Sequence, residues 1–166
     1  EMARGLLGEQ AKYKKWGPSD KGLIPMRPDD AELDEATGLF NQFIDSLQAL
    51  PSFARAVQGT SVVTLRNVAD EIEGGEGNLL FRPVGQTALA TAIGVLLHEG
   101  GSLVSIFSKL MRYDSTGGFS GIDKPNSIWY GVLYDPNKKR MQVSGEKLAV
   151  RLFVYLLGGG IADENL

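Results

Sequence analysis

The basic turn Lys138-Lys139-Arg140, with Trp129, Tyr130 and Tyr134 shortly before it, pairs cations that can hold phosphate with rings that can stack on bases. Trp129 sits in an apolar run, so a core position is its plainer role. A second set, Ser105, Ser108, Lys109 and Arg112, recurs at spacings of three and four opposite an apolar helix face. With the helix before it and the Gly100-Gly101 turn, this imitates a helix-turn-helix, whose second helix offers such side chains to phosphates and base edges. The helix is apolar over more than half its circumference, however, which fits a solvated stripe better than an exposed recognition helix.

The other chemistry-bearing types lead nowhere catalytic. The sole histidine, His98, falls at a helix C-terminus, where the dipole favours a cation and the last carbonyls need donors. Gly118-Phe119-Ser120-Gly121 lacks the spacing and strand-to-helix setting of a nucleophile elbow. Gly74-Gly75-Glu76-Gly77 and Gly117-Gly118 are glycine-rich enough to cradle phosphate on backbone N–H groups. The first of them puts a glutamate where phosphate would approach and has no Lys-Ser or Lys-Thr after it, so both read as connectors. Asp30, Glu32, Asp34 and Glu35 suit the positive end of a helix dipole, and no histidine accompanies them. No catalytic residue, metal site or cofactor is assigned; a non-catalytic role is favoured, and an enzyme using Asp or Glu chemistry in a glycine-lined cleft ranks last, since it needs two close carboxylates that sequence does not place.

At 166 residues the chain is one domain in size, enough to bury roughly 70% of the surface of its unfolded form. Hydrophobic residues make up 43% and charged residues 22%, ordinary globular usage. The absence of cysteine removes disulfides, thiolate nucleophiles and cysteine zinc sites together, and agrees with a cytoplasmic location. Apolar runs break well before the ~18 residues of a membrane span, so no membrane partner is expected. The chain opens on Glu1 with a helix-compatible segment already under way, which reads as a piece of a longer protein. Net charge is −3, yet Lys124 to Arg151 holds six basic residues against two acidic ones. That imbalance marks one side as a candidate to face a polyanion; a solvated hairpin and helix face is the plain alternative.

These residues need elements to position them. Residues 2–15 suit a helix, followed through Pro28 by a Pro-rich linker, so residues 1–28 read as a connector and 29–166 as the domain. Asp29 and Asp30 sit where an N-cap belongs, and Leu33, Ala36, Phe40, Phe43, Leu47 and Leu50 trace a helix. Pro51 opens a short helix, and Ser61 to Ile72 is ambiguous between strand and helix. Asn78 to Arg82 reads as an extended apolar run that becomes a small-residue helix at Pro83, ending at Gly100-Gly101. Ser102 caps the next helix, whose Leu103, Ile106, Phe107, Leu110 and Met111 point inward. Ile128 to Tyr134 reads as a strand, Asp135 to Lys138 as a turn and Arg140 to Val143 as the return strand, a hairpin at about 127–144. An apolar helix from Gly145 to Leu157, stopped by Gly158-Gly159-Gly160, closes the chain. The fold class is mainly α (α+β): a helical domain with a small C-terminal β-hairpin.

Asn78-Leu79-Leu80-Phe81-Arg82-Pro83-Val84-Gly85-Gln86, followed by Ile128 to Tyr134, Lys139-Arg140-Met141 and Ala149 to Leu157, resembles the C-terminal part of DndB-type proteins. These belong to a larger group named for an Asp-Gly-Gln-His-Arg motif and associated with bacterial DNA phosphorothioation. The resemblance covers roughly residues 30–160, and the Asp-Gly-Gln-His-Arg motif is not present, so no catalytic residue carries over. It implies a DNA-associated or regulatory accessory component of a DNA-modification system, with DNA and other subunits as partners. Arg82, Pro83, Gly85 and Gln86 match the pattern; Pro83 and Gly85 have structural roles, while Arg82 and Gln86 have side chains able to reach a ligand or DNA. With them, Lys138, Lys139, Arg140, Lys109 and Arg112 complete the candidate DNA contacts. The competing reading is an oligomerisation module without nucleic-acid binding, self-associating through its small-residue and last helices.

Overall fold

The structure, a computed structural model, describes residues 2–8 and 28–158. The Pro-rich linker, apart from Pro28, lies outside the described residues, as does the end of the glycine stop at Gly159-Gly160.

Helix α1 spans Met2–Gly8 and α2 spans Asp30–Gln48. Asp29 opens α2 through a reciprocal capping box: its carboxylate accepts the Glu32 N–H at 2.7 Å while the Glu32 carboxylate accepts its own N–H at 3.3 Å. The buried face of α2 begins at Ala36 and continues through Phe43 and Leu47, leaving Leu33 exposed. Pro51 opens α3, Pro51–Val57. The ambiguous segment that follows is helical where it is regular: α4 is Val62–Arg66, after which Val68 bridges to Glu76.

The expected extended run before Pro83 is instead a 3-10 turn, Leu79–Phe81, capped by Asn78, whose Oδ1 accepts the Leu80 N–H at 2.9 Å. Both Leu79 and Leu80 are buried, and adjacent buried residues cannot share one face of a strand. Pro83 then opens α5, Pro83–His98, which is buried on most sides. Against α5 pack α1 and the last helix, α7, Glu146–Leu156. The approach of α1 is close enough that a Cβ on Gly94 would lie 2.6 Å from the Gly5 carbonyl oxygen, and one on Gly5 would lie 2.6 Å from Thr91 Oγ1. Leu6 is fully buried there, so α1 belongs to the core and is not part of a connector.

Helix α6, Leu103–Ser115, starts at Ser102, whose hydroxyl accepts the Ser105 N–H at 3.3 Å. Ile106, Phe107 and Leu110 are buried; Met111 is largely exposed. The strand expected from Ile128 is a succession of turns. The Trp129 carbonyl accepts the N–H groups of Val132 at 3.1 Å and Leu133 at 3.0 Å, and Gly131 takes a positive φ. Hydrogen bonds from i+3 and i+4 back to one carbonyl coil the segment on itself, as in a helical turn and not in a strand. The hairpin therefore shrinks to β1, Tyr134–Asp135, paired antiparallel with β2, Arg140–Met141, in the register Tyr134 to Met141. The architecture is mainly α with this small C-terminal hairpin.

A buried polar relay ties four elements together. Asp114, near the end of α6, accepts the Ser52 N–H at 2.7 Å and the Ser52 hydroxyl at 2.5 Å. Ser52 Oγ in turn accepts from Asn78 Nδ2 at 2.8 Å, and the same amide donates to Ser120 Oγ at 3.2 Å. Asp114→Ala would leave two buried donors on Ser52 without a partner. The expected loss is about 3 kcal/mol, read as a lower urea midpoint at unchanged slope.

Candidate nucleic-acid interface

The seven residues put forward as DNA contacts separate into a pair turned into the fold, a set tied up on the surface and a set left open to solvent. Arg82, the residue before Pro83, is only 7% exposed. Its Nε donates to the Arg66 carbonyl at 2.7 Å and its Nη2 to Glu71 Oε2 at 2.5 Å. Burial raises the Glu71 pKa, but the Arg82 hydrogen bond and charge, with the Val68 N–H, outweigh it and hold the carboxyl below its usual range. Arg82 thus fastens α4 and the segment after it to the start of α5, and it is corrected from a DNA contact to an internal clamp. Gln86, one turn on, donates through Nε2 to the Leu80 carbonyl at 2.8 Å. It lines an apolar cavity of about 380 Å³ with Phe43, Leu47, Phe53, Val57 and Leu89, an environment without phosphate-holding chemistry.

Lys109 Nζ donates to the Leu157 carbonyl at 2.6 Å, capping the C-terminal end of α7 with a cation where the dipole favours one. Lys139 has φ of 49°, left-handed for a residue with a side chain, and pairs with Asp70 Oδ2 at 2.8 Å. That hydrogen bond to Asp70 raises its pKa, so the lysine stays charged but engaged. Asp135 shapes the turn by accepting the N–H groups of Asn137 and Lys138 at 3.0 and 3.1 Å; the Lys138 N–H, first, and that of Asn137 hold its pKa below the ordinary value. Lys138 itself reaches Asp135 only at 3.7 Å and is 64% exposed. Arg140 and Arg112 are exposed with no ion pair among the described residues.

The aromatic half of the basic-turn idea does not survive. Trp129 is fully buried, 4.6 Å between ring centroids from Phe153, and its Nε1 donates to the Gly118 carbonyl at 3.0 Å. Tyr134 is 3% exposed and Tyr130 half-buried, so no free ring stands beside the turn. Among the described residues the exposed ring is elsewhere, on α7. There Lys147, Leu148, Arg151 and Tyr155 are all exposed, while Ala149, Phe153, Val154 and Leu157 are buried. At 100° per residue these four span an arc of roughly 100°. Sequence reading counted Lys147 and Arg151 in the basic surplus but left them out of the candidate contacts. The signal that finds them is the complement of the buried positions on α7.

No protein-family model matches this chain, and no curated protein or solved structure matches it.

Among the described residues no helix is long and apolar enough to cross a membrane, and no group of three or more acidic or histidine side chains is placed to hold a metal ion.

Outcomes follow from the clamp and from the neighbouring Arg55–Glu76 pair. Arg82→Met should lower stability by about 3 kcal/mol in urea melts, since it strands a partly buried carboxylate and a carbonyl, and should leave any duplex affinity unchanged. Glu71 and Glu76 both have folded pKa values below the unfolded carboxylate value; Arg55, donating to both Glu76 oxygens at 2.7 and 2.5 Å, is the chief cause for Glu76. Their stabilising contribution is complete above the unfolded pKa and is lost as pH falls through the folded one, so urea midpoints should drop below about pH 4.5. A Glu71→Gln, Glu76→Gln double variant should show a flatter acid limb in the same titration.

Proposed function

We propose that this chain is a non-catalytic, DNA-associated accessory module of a bacterial DNA-modification system of the phosphorothioation type, acting in the cytoplasm alongside other subunits. The observation that carries the reading is the outward stripe of α7, where Lys147, Arg151 and Tyr155 stand exposed around Leu148. From Lys147 to Gly158 the chain has no carboxylate side chain, and Glu146, which opens the helix, makes no ion pair with either cation among the described residues. Arg140 and Lys138 lie just before α7 in the chain, and Arg112 lies one turn beyond Lys109, whose contact with Leu157 joins α6 to the end of α7. Cations for phosphate with one aromatic ring among them make a surface suited to a nucleic-acid backbone. The resemblance of Asn78 to Gln86 to DndB-type proteins supplies the biological setting. In this reading those residues maintain the fold, and the DNA contact falls to the α7 side.

A second reading, an assembly module, is favoured by one observation: Val57, Val62 and Val63, at the end of α3 and the start of α4, are 81%, 53% and 57% exposed, and Val57 borders the apolar cavity. Exposed apolar groups gathered in one place suit a protein partner.

The two readings separate by experiment. In a salt series with a labelled duplex, an Arg140→Glu, Lys147→Glu, Arg151→Glu variant should bind at least tenfold more weakly, and its log-affinity against log-salt slope should be shallower by about 3, one unit per lost phosphate contact. Failure of the unaltered chain to bind at low salt, with self-association in sedimentation that Val57→Asp abolishes, would replace the DNA reading with the assembly one.

A further inference from the structure

The two glycine-rich loops, far apart in sequence, meet. The Gly121 N–H donates to the Glu76 carbonyl at 2.8 Å, the Ile122 N–H to the Gly77 carbonyl at 3.2 Å, and the Leu79 N–H to the Phe119 carbonyl at 2.8 Å. Between them opens a polar cleft of about 500 Å³. The walls are fixed by close packing: a Cβ on Gly75 would lie 2.5 Å from the Val68 carbonyl oxygen, and one on Gly118 would lie 2.4 Å from the Tyr113 ring. Several of the glycine N–H groups are spent on the loops themselves, as with Gly75 to Ile72, Gly117 to Asp114 and Gly118 to Tyr113, so these glycines form no backbone phosphate cradle. What faces the cleft is side-chain chemistry.

Its polarity is set from below. Asp114 accepts both the N–H and the hydroxyl of Ser52; Ser52 Oγ then accepts from Asn78, and Asn78 is oriented because its Oδ1 already holds the Leu80 N–H. The remaining Asn78 proton goes to Ser120 Oγ, leaving the Ser120 O–H as a donor with no acceptor among the described residues, on the cleft lining. Ser127 is in the same condition, its Oγ accepting the Trp129 N–H at 3.3 Å. Lys124, whose stem would lie 3.0 Å from a Cβ on Gly121, lines the cleft with no ion pair among the described residues. The one carboxylate there, Glu76, has both oxygens engaged by Arg55.

We propose that this cleft is a binding site for a small phosphate-bearing anion, held by the hydroxyls of Ser120 and Ser127 and the ammonium of Lys124. Three donors, one of them charged, and a carboxylate already neutralised make a site that asks for acceptor oxygens. The site is separate from the α7 stripe and does not depend on it. Its concavity suits a terminal or free phosphate better than a duplex backbone.

The test is a set of amide-resonance titrations of the whole chain at constant ionic strength with three probes: inorganic phosphate, a 5′-phosphorylated dinucleotide, and the same dinucleotide without its 5′-phosphate. Saturable shifts at Ser120, Lys124 and Ser127 with the first two probes are expected, and about tenfold weaker binding in Lys124→Met, with Lys124→Arg restoring most of it. Equal shifts with the third probe would make an internal diester the source of the phosphate. Shifts that do not saturate, or that are unchanged in folded Lys124→Met and Ser120→Ala variants, would overturn the site.

Discussion

A single buried carboxylate, Asp114, sets the direction of a hydrogen-bond relay on which the organisation of this domain depends. A polar group only 5% exposed is tolerable only if it is hydrogen-bonded, and Ser52 supplies it with both a backbone and a side-chain donor. That requirement pins the first turn of α3 to the last turn of α6. Through Asn78 the same relay fixes the entry to the 3-10 turn, and through Ser120 the loop after α6. Four segments with little regular structure between them are located by one chain of polar contacts whose every member is nearly buried or shielded.

Around this relay the apolar core is built on α5. Small residues let α1 approach so closely that Gly5 and Gly94 leave no space for a methyl group, and large ones on the other side, Trp129, Phe119 and Phe153, fill the volume beneath α7 and the turn region. Arg82 secures the start of α5 to α4 and Glu71, so the helix is held at its entry by charge and along its length by packing.

Much of this was legible. Helix starts were written in Asp29, Pro51, Pro83 and Ser102, because caps and N-terminal prolines act through groups within one turn of themselves. The turns after Ile128 were not legible: the β-branched and aromatic content argued for extension, whereas the core takes in the adjacent Leu133 and Tyr134 together, a tertiary demand that no local pattern states. The candidate contacts suffered similarly. Arg82 and Lys109 look like ordinary surface cations in sequence, and only the fold reveals the Arg66, Glu71 and Leu157 acceptors that claim them. The Asp114 relay joins residues 62 and 26 positions apart, beyond any motif's reach.

The packing of α1 on α5 has a consequence for the order of events in synthesis. The seven residues of α1 leave the ribosome well before α5, and the surface that buries Leu6 does not exist until Thr91 and Gly94 have followed. So short a helix has no stability alone, so throughout that interval its apolar side chains remain available to chaperones or to wrong partners. Helix α1 thereby becomes native only after α5 has followed it, and the contact joining the two is long-range in the sense that slows folding.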